Sequence, residues 1–315
     1  MIQIDKERCI GCGLCAQDCI AANIRVENGK AVVLQECLTC GHCAAVCPQQ
    51  AVSIPQYDMA DVEPYSIELS ADHLLRAIKS RRSIRNYQPK QIEREKLQRI
   101  VEAGRYTATA KNTQGCRFVL VQEQLDTFKD MIWSAIDHAV QHNDLPEGVP
   151  PYMLDTYKRF LALRQQEPPV DYLFRNAPAV LFVAANTPVD AGLAAQNMEM
   201  MAVAQGLGAL YDGFLNYTIE LTAELKQWLG IADKKSYVCM LLGYPAALHL
   251  VRMQTWFGDK HTVRNEKQRR NKQSWSDIVC NYVPAFYFKA ISVITADFLV
   301  ASGRKNVYYK WRKRL

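Results

Sequence analysis

Eight of the eleven cysteines fall into two copies of one Cys-x-x-Cys-x-x-Cys-x-x-x-Cys run: Cys9, Cys12, Cys15 and Cys19, then Cys37, Cys40, Cys43 and Cys47, with Pro48 after the second. An iron–sulfur cubane presents four iron corners, each needing a soft thiolate, and three cysteines two residues apart can wrap three corners from one tight loop. The fourth ligand must come from elsewhere in the chain. The chemistry such a centre offers is one-electron transfer. Gly11, Gly13 and Gly41 suit it, because backbone N–H groups have to turn toward sulfur in conformations that a Cβ obstructs.

Zinc is a poorer match. Its sites favour paired Cys-x-x-Cys modules with a long spacer, and a third cysteine two residues on over-supplies one side. A disulfide framework calls for an oxidising compartment and usually a short chain. In both motifs and internal duplication, about residues 1–60 resemble the bacterial two-cluster ferredoxin domain. That resemblance implies two [4Fe-4S] clusters with crossed ligands, Cys9, Cys12, Cys15 and Cys47 for one and Cys37, Cys40, Cys43 and Cys19 for the other. Ile20 stands where the run usually closes with proline.

Short apolar stretches at 2–4, 24–26, 31–33 and 52–54 are expected strands that frame these loops, with Glu27, Asn28 and Gly29 turning between the middle pair. So small a domain has little core of its own, so metal binding is expected to supply much of its stability.

A chain of 315 residues has room for a second domain of about 250. The formal charge of +6 conceals an asymmetry: from Arg264 onward there are 12 Lys+Arg and 3 Asp+Glu, a local +9, which leaves 26 against 29, or −3, for residues 1–263. No recognition motif accompanies the basic tail, so no nucleic-acid partner is expected. The opening Met1 to Asp5 has no basic, apolar and cleavage regions, and reduced thiols with oxygen-labile clusters suit a reducing compartment; a cytoplasmic location is the expectation. Residues 61–69 serve as a connector, part of a proline-bearing stretch that breaks hydrophobic periodicity.

Beyond it, Ser70 with Ala71, Asp72 and His73 reads as a helix start, with Leu74, Leu75 and Ile78 on one face. Arg81, Arg82, Ser83 and Arg85 follow, guanidiniums and a hydroxyl suited to a phosphate or to solvent alike. Helices are expected at 125–141 and 153–163 around a proline-rich insertion, a buried strand at 179–185, and a long Ala- and Met-rich buried helix at 189–205. His42 and His73 read as structural or solvated, and Cys116, Cys239 and Cys280 as thiols without a nearby base.

Taken in order, the Arg81 to Tyr87 string, the stretch Thr107 to Gln114 before a strand at 118–121, the stretch Gly206 to Phe214, and a strand at 237–242 ending in Gly243, Tyr244 and Pro245 resemble the FMN-dependent nitroreductase family over about residues 70–252. The fold implied is α+β, a small two-[4Fe-4S] ferredoxin-like domain followed by a nitroreductase-type domain with a central, mostly antiparallel sheet flanked by helices. Domain limits would be 1–60, 61–69 for the connector, 70–252, and 253–315 for a basic, aromatic extension. The resemblance assigns Arg81, Arg82 and Ser83 to the FMN phosphate, Arg85 to the pyrimidine edge, Asn112 to the polar edge of the isoalloxazine, and the Asp212 and Gly213 backbone to N5 and O4. Arg252 matches one arginine that the family places near the phosphate; a second is absent, with Lys260 or Arg264 as substitutes. The helix at 189–205 would lie in a homodimer interface.

Two cofactor types, clusters and FMN, then imply an oxidoreductase that needs no catalytic side chain beyond those holding the flavin. It would pass electrons to an electron-poor acceptor such as a nitroaromatic or quinone, from an external ferredoxin, another redox protein or NAD(P)H. A relay or redox sensor serving a protein partner is the alternative. No Gly-x-Gly-x-x-Gly loop is present. The apolar stretch at 283–301 with the basic residues after it also allows contact with a membrane surface.

Overall fold

The two cysteine runs are in constant register, 9 with 37, 12 with 40, 15 with 43 and 19 with 47, and the backbone keeps the same offset. The computed structural model describes residues 2–35, 37–57, 59 and 68–247, all within one compact unit, Met1–Gln254. The expectations for Arg252, Lys260, Arg264, Cys280, most of the connector and the tail lie outside these described residues. Left-handed backbone occurs at Gly11 and Thr39, at Gly13 and Gly41, and at Ala22 and Gln50, each pair related by that offset. Gly13 and Gly41 start the matching short helices α1 (Leu14–Gln17) and α2 (His42–Ala45). Strands β1 (Gln3–Ile4) and β4 (Val52–Ser53) pair antiparallel, as do β2 (Ile24–Glu27) and β3 (Lys30–Val33) across the Asn28-Gly29 turn. Their inner residues, Ile2, Ile24, Ala31, Val52 and Ile54, close a core shared with Cys9, Cys15 and Cys43.

The second domain is built on four antiparallel strands in the order β5 (Arg117–Val121), β6 (Ala179–Ala185), β8 (Ser236–Gly243), β7 (Gly208–Tyr211). The α+β class and the antiparallel sheet match the sequence expectation. Every residue of β6 is buried, because both faces of the sheet are covered. Leu181 and Val183 pack with α4 (Arg94–Arg105) and α7 (Pro188–Ala204), while Val180 and Phe182 face α5 (Leu125–His142) and α6 (Tyr152–Arg164). Helix α4 has no counterpart among the sequence expectations; its many charges hide an inward stripe of Leu97, Ile100 and Gly104. At Gly104 an added Cβ would stand 2.7 Å from Met198 Sδ, so glycine sets how closely α4 and α7 approach.

One helix differs from expectation, and another, found where expected, leaves its apolar face open. α7 is buried along one side only: Ala191, Ala194, Ala195, Met198 and Ala202 face inward, whereas Val189 and Leu193 are exposed. In α3 (Ala71–Ser80) no residue is buried, and Leu74, Leu75 and Ile78 lie exposed in the single chain. Apolar composition marks a surface that can be covered, but a single chain covers only part of it. Among the described residues, no helix is long and apolar enough to cross a membrane.

After α3 the chain turns extended and runs beside the sheet. Ser83 bridges Ala209, Ile84 N–H donates to Ala209 O at 3.0 Å, and Tyr87 bridges Pro245 while its hydroxyl donates to the carbonyls of Ile84 and Leu241. Ile84 drops into the core, which leaves its neighbours Ser83 and Arg85 on the opposite face. The approach depends on Gly208, where a Cβ would collide with Ile84 Cγ1. Gly208→Ala should therefore lower unfolding free energy by about 1–3 kcal/mol, read from denaturant midpoints, as overpacking of a filled core does.

Candidate cofactor sites and the contact between them

The first centre is a small pocket whose lining includes Cys9, Cys12, Cys15 and Cys47, with Gly11, Gly13 and Pro48. Three thiols of the first run and the last thiol of the second thus come together. In the second half Cys43 has Cys37 and Cys40 as electrostatic neighbours, while Cys19 is half-buried in the same core. Backbone donors are already aimed at sulfur: Ala31 N–H at Cys9 (3.4 Å), Thr39 at Cys37 (3.3 Å), and, as a pair repeated between the two halves, Asn23 at Cys19 and Ala51 at Cys47 (both 3.3 Å). Such donors favour thiolate, and they hold Cys9 below the usual thiol range. Burial, then the neighbouring Cys37, pushes the Cys43 thiol up to about 11, a cost that bound iron would remove by deprotonating it outright. Among the described residues no three cysteine, histidine or carboxylate side chains converge tightly enough for one metal ion; the four thiols of the cavity surround a space instead, as the corners of a cubane require. The residues present fit a cluster. Ile20, the departure from the proline pattern, is fully on the surface and leaves the ligands undisturbed.

In the second domain, Arg81, Arg82 and Ser83 are half-buried and Arg85 is exposed. Arg81 Nη1 bonds Glu199 Oε1 at 2.9 Å, and Glu199 is 1% exposed. Gln196 and the hydroxyl of Tyr211 also reach that carboxylate. Sequence reasoning missed Glu199, although a carboxylate deep in an Ala- and Met-rich helix is a signal. Through it Arg81 is tied to the end of β7, where Asp212 caps α8 (Gly213–Thr218) by accepting from Leu215 N–H at 3.0 Å. A Cβ built on Gly213 meets no atom within 4 Å, so the backbone there faces open space that a planar ring can approach. Arg81, through Glu199 and Tyr211, thus meets Asp212 and Gly213 at the end of β7, with Ser83 beside Ala209 earlier in that strand, and their donors and open glycine fit a phosphorylated flavin. Asp212, 6% exposed, has its carboxyl pushed up to about 6 by burial, against the pull of Leu215 and Phe214 N–H.

Asn112 makes its side-chain bonds to the cysteine domain. It belongs to a turn, Ala110–Asn112, in which Lys111 and Asn112, with Gln114 beyond, take left-handed φ. α7 holds this stretch: Asn197 donates to Thr107 Oγ1 at 2.8 Å, and buried Asp190 accepts from Ala110 N–H at 3.2 Å. Within the stretch, Gln114 N–H closes on Thr109 Oγ1. Its outer side meets the cysteine domain. Asn112 Nδ2 donates to the carbonyls of Thr39 (3.0 Å) and Leu38 (3.3 Å), and Gln114 Nε2 to the hydroxyl of Tyr57 (3.3 Å), which itself donates to Thr39 O. The amide that the resemblance aimed at a flavin edge is thus engaged by the second cysteine run.

Residues 78–244, 167 of 315, match the model of the nitroreductase family, and residues 1–48 match that of the 4Fe-4S dicluster domain. The chain belongs to the nitroreductase family and carries a match to the dicluster iron–sulfur domain in front. The expectation of clusters and FMN thus rests on families that the chain matches. The leading domain is 47% identical over 47 residues to the B component of an ion-translocating oxidoreductase complex of Methanosarcina acetivorans, 15% of this chain and 18% of that protein. It is 40% identical over 58 residues to an uncharacterized ferredoxin of Methanocaldococcus jannaschii, 17% of this chain and 75% of that one. The chain thus spans under a fifth of the first relative's length. A crystal structure of a nitroreductase with bound FMN from Bacteroides fragilis aligns over 61% of this chain and 98% of its own, with 23% identity and a TM-score of 0.48.

Asp212 yields a pH test. Its folded value of about 6 lies above the ordinary 3.8, so its contribution is full below pH 4 and is lost as pH rises to 6. The loss is about 3 kcal/mol at most. Asp212→Asn, which keeps an acceptor for Leu215, should abolish that slope when urea midpoints of the two proteins are compared across the window.

Proposed function

We propose that this protein is an FMN-dependent oxidoreductase in which two [4Fe-4S] clusters, held by Cys9, Cys12, Cys15 and Cys47 and by Cys37, Cys40, Cys43 and Cys19, deliver electrons to flavin for reduction of an electron-poor acceptor. A nitroaromatic or a quinone has the required character. The observation that carries the reading is the direct bonding of the 109–114 stretch to the second cysteine run. Bound FMN would collect two electrons and a proton and return them as a hydride equivalent, with a second proton completing reduction of the acceptor.

The chain's own residues hold and polarise. Arg81 spends one guanidinium N–H on Glu199, which orients the remaining donors for a phosphate, with Ser83 and Arg82 beside it. Arg85 supplies positive charge at the pyrimidine edge, and the Gly213 backbone approaches the ring. Arg252 would add to the phosphate grip. Domain limits near residues 60 and 252 follow from the same reading. The exposed apolar faces of α3 and α7 support a homodimer, and a reducing compartment, the cytoplasm, suits the clusters. A one-electron carrier such as reduced ferredoxin matches cluster chemistry best as donor; NAD(P)H acting directly on flavin would bypass the clusters.

The deciding experiment mixes anaerobically reduced holoprotein with a nitroaromatic or quinone. Flavin reoxidation with stoichiometric product supports an enzyme; inert flavin would leave a relay to another protein. Metal analysis should find about eight irons per chain. Cys12→Ala should retain FMN yet lose flavin reduction by external low-potential ferredoxin, and undiminished turnover would take the clusters off the path. Arg81→Ala should lose FMN on gel filtration, at least tenfold in Kd, as removal of a charge-assisted phosphate contact entails.

A further inference from the structure

We infer that Asn112, assisted by Gln114 and Tyr57, is a positioning residue that latches the Leu38–Thr39 carbonyls to the nitroreductase domain, making the centre of the second cysteine run the inner one and that of the first the outer. This rests on the electron path proposed above but concerns the chain's own contacts.

The duplicated cysteine domain supplies an internal control. At equivalent positions of its two halves stand Gly11 and Thr39, both left-handed, with φ of 68° and 51°. Gly11 is forced, since a Cβ there would collide with Gly29 O. Thr39 is a β-branched residue in a conformation that such residues avoid, at a cost of order 1–3 kcal/mol. Its carbonyl has an external partner: it accepts from Asn112 Nδ2 at 3.0 Å, as well as from Tyr57 Oη of its own domain at 2.5 Å, next to the ligand Cys40. Asn112 is left-handed too, a state asparagine tolerates, and Asp190 of α7 anchors the turn from behind. The first run has no such cross-domain bond among the described residues and is more open than the second, where Leu38 is 40% exposed and Cys40 half-buried. Cys12 is exposed among Ile10, 62% exposed, and Leu14, 42% exposed, an apolar rim open to a donor.

Electrons would enter singly from an external one-electron donor at the Cys12 side and leave at the Cys40 side, two for each hydride equivalent delivered. Each cluster returns to its starting state.

The test uses the holoprotein with Asn112→Ala and Asn112→Asp, the second of which replaces the donating amide by a carboxylate facing two carbonyls. Hydrogen exchange of peptides covering residues 37–41 should quicken at least tenfold, with residues 179–185, iron content and flavin content unchanged. In anaerobic stopped flow with reduced ferredoxin, cluster bleaching should keep its rate while flavin bleaching slows at least tenfold. Unchanged exchange overturns the latch. Loss of flavin, or a shifted flavin midpoint potential with exchange unchanged, also overturns it and returns Asn112 to the flavin edge. Quickened exchange with flavin bleaching at the normal rate overturns the order of the centres. If the wild type fails to pass any electrons to flavin, the electron path itself falls, while hydrogen exchange still decides the latch.

Discussion

The two domains of this molecule meet through hydrogen bonds from Asn112 to the Leu38 and Thr39 carbonyls and from Gln114 to Tyr57, and the electron transfer proposed for it demands such close approach. Joining two domains in one chain raises the effective concentration of each at the other, but a connector alone does not set their orientation. The donors on the 109–114 stretch do. That stretch is in turn pinned by Asp190 and Asn197 of α7, the same helix whose Glu199 holds Arg81. One helix thus supports both the contact with the cysteine domain and the phosphate-type site. Asp190 and Glu199 are nine residues apart, about 13 Å of helix axis, and at 100° per residue they stand at opposite margins of its buried arc.

Burying a carboxylate is costly unless charge or hydrogen bonds compensate it. Among the described residues, the buried carboxylates are Asp190, Glu199 and Asp212. Each holds something in place. Asp190 fixes a backbone N–H of the 110 turn, Glu199 fixes the Arg81 guanidinium, and Asp212 caps α8. The rest of the core is apolar and filled closely enough that Gly104, Gly208 and Gly243 leave no room for a methyl group without displacement.

The cysteine domain has near-symmetric backbone and unequal surroundings. Left-handed residues and N–H to sulfur bonds repeat with the ligand period, because two loops that wrap the same kind of centre face the same steric demands. What differs is the side chain that the environment permits. Gly29 O excludes a Cβ at Gly11, whereas position 39 carries threonine and its carbonyl accepts from Asn112 of the other domain.

Cysteine spacing alone pointed to the centre lined by Cys9, Cys12 and Cys15, and resemblance supplied Cys47. Period-two and helical patterns located β5, β6, β8, α5, α6 and α7 to within a residue or two, since those signals are local. The charged α4 escaped because its narrow apolar stripe includes a glycine, and the exposed side of α7 was indistinguishable from its buried side by composition. Contacts across the chain were beyond reach of any spacing rule. Arg81 meets Glu199 from 118 residues away and Asn112 meets Thr39 from 73. The sequence by itself determined the two cysteine runs and most of the long elements, because thiolate spacing and hydrophobic period act over a few residues. Only the tertiary structure decided which carboxylate holds Arg81 and which cysteine run faces the flavin domain, because packing brings those groups together at sequence separations that leave no local trace.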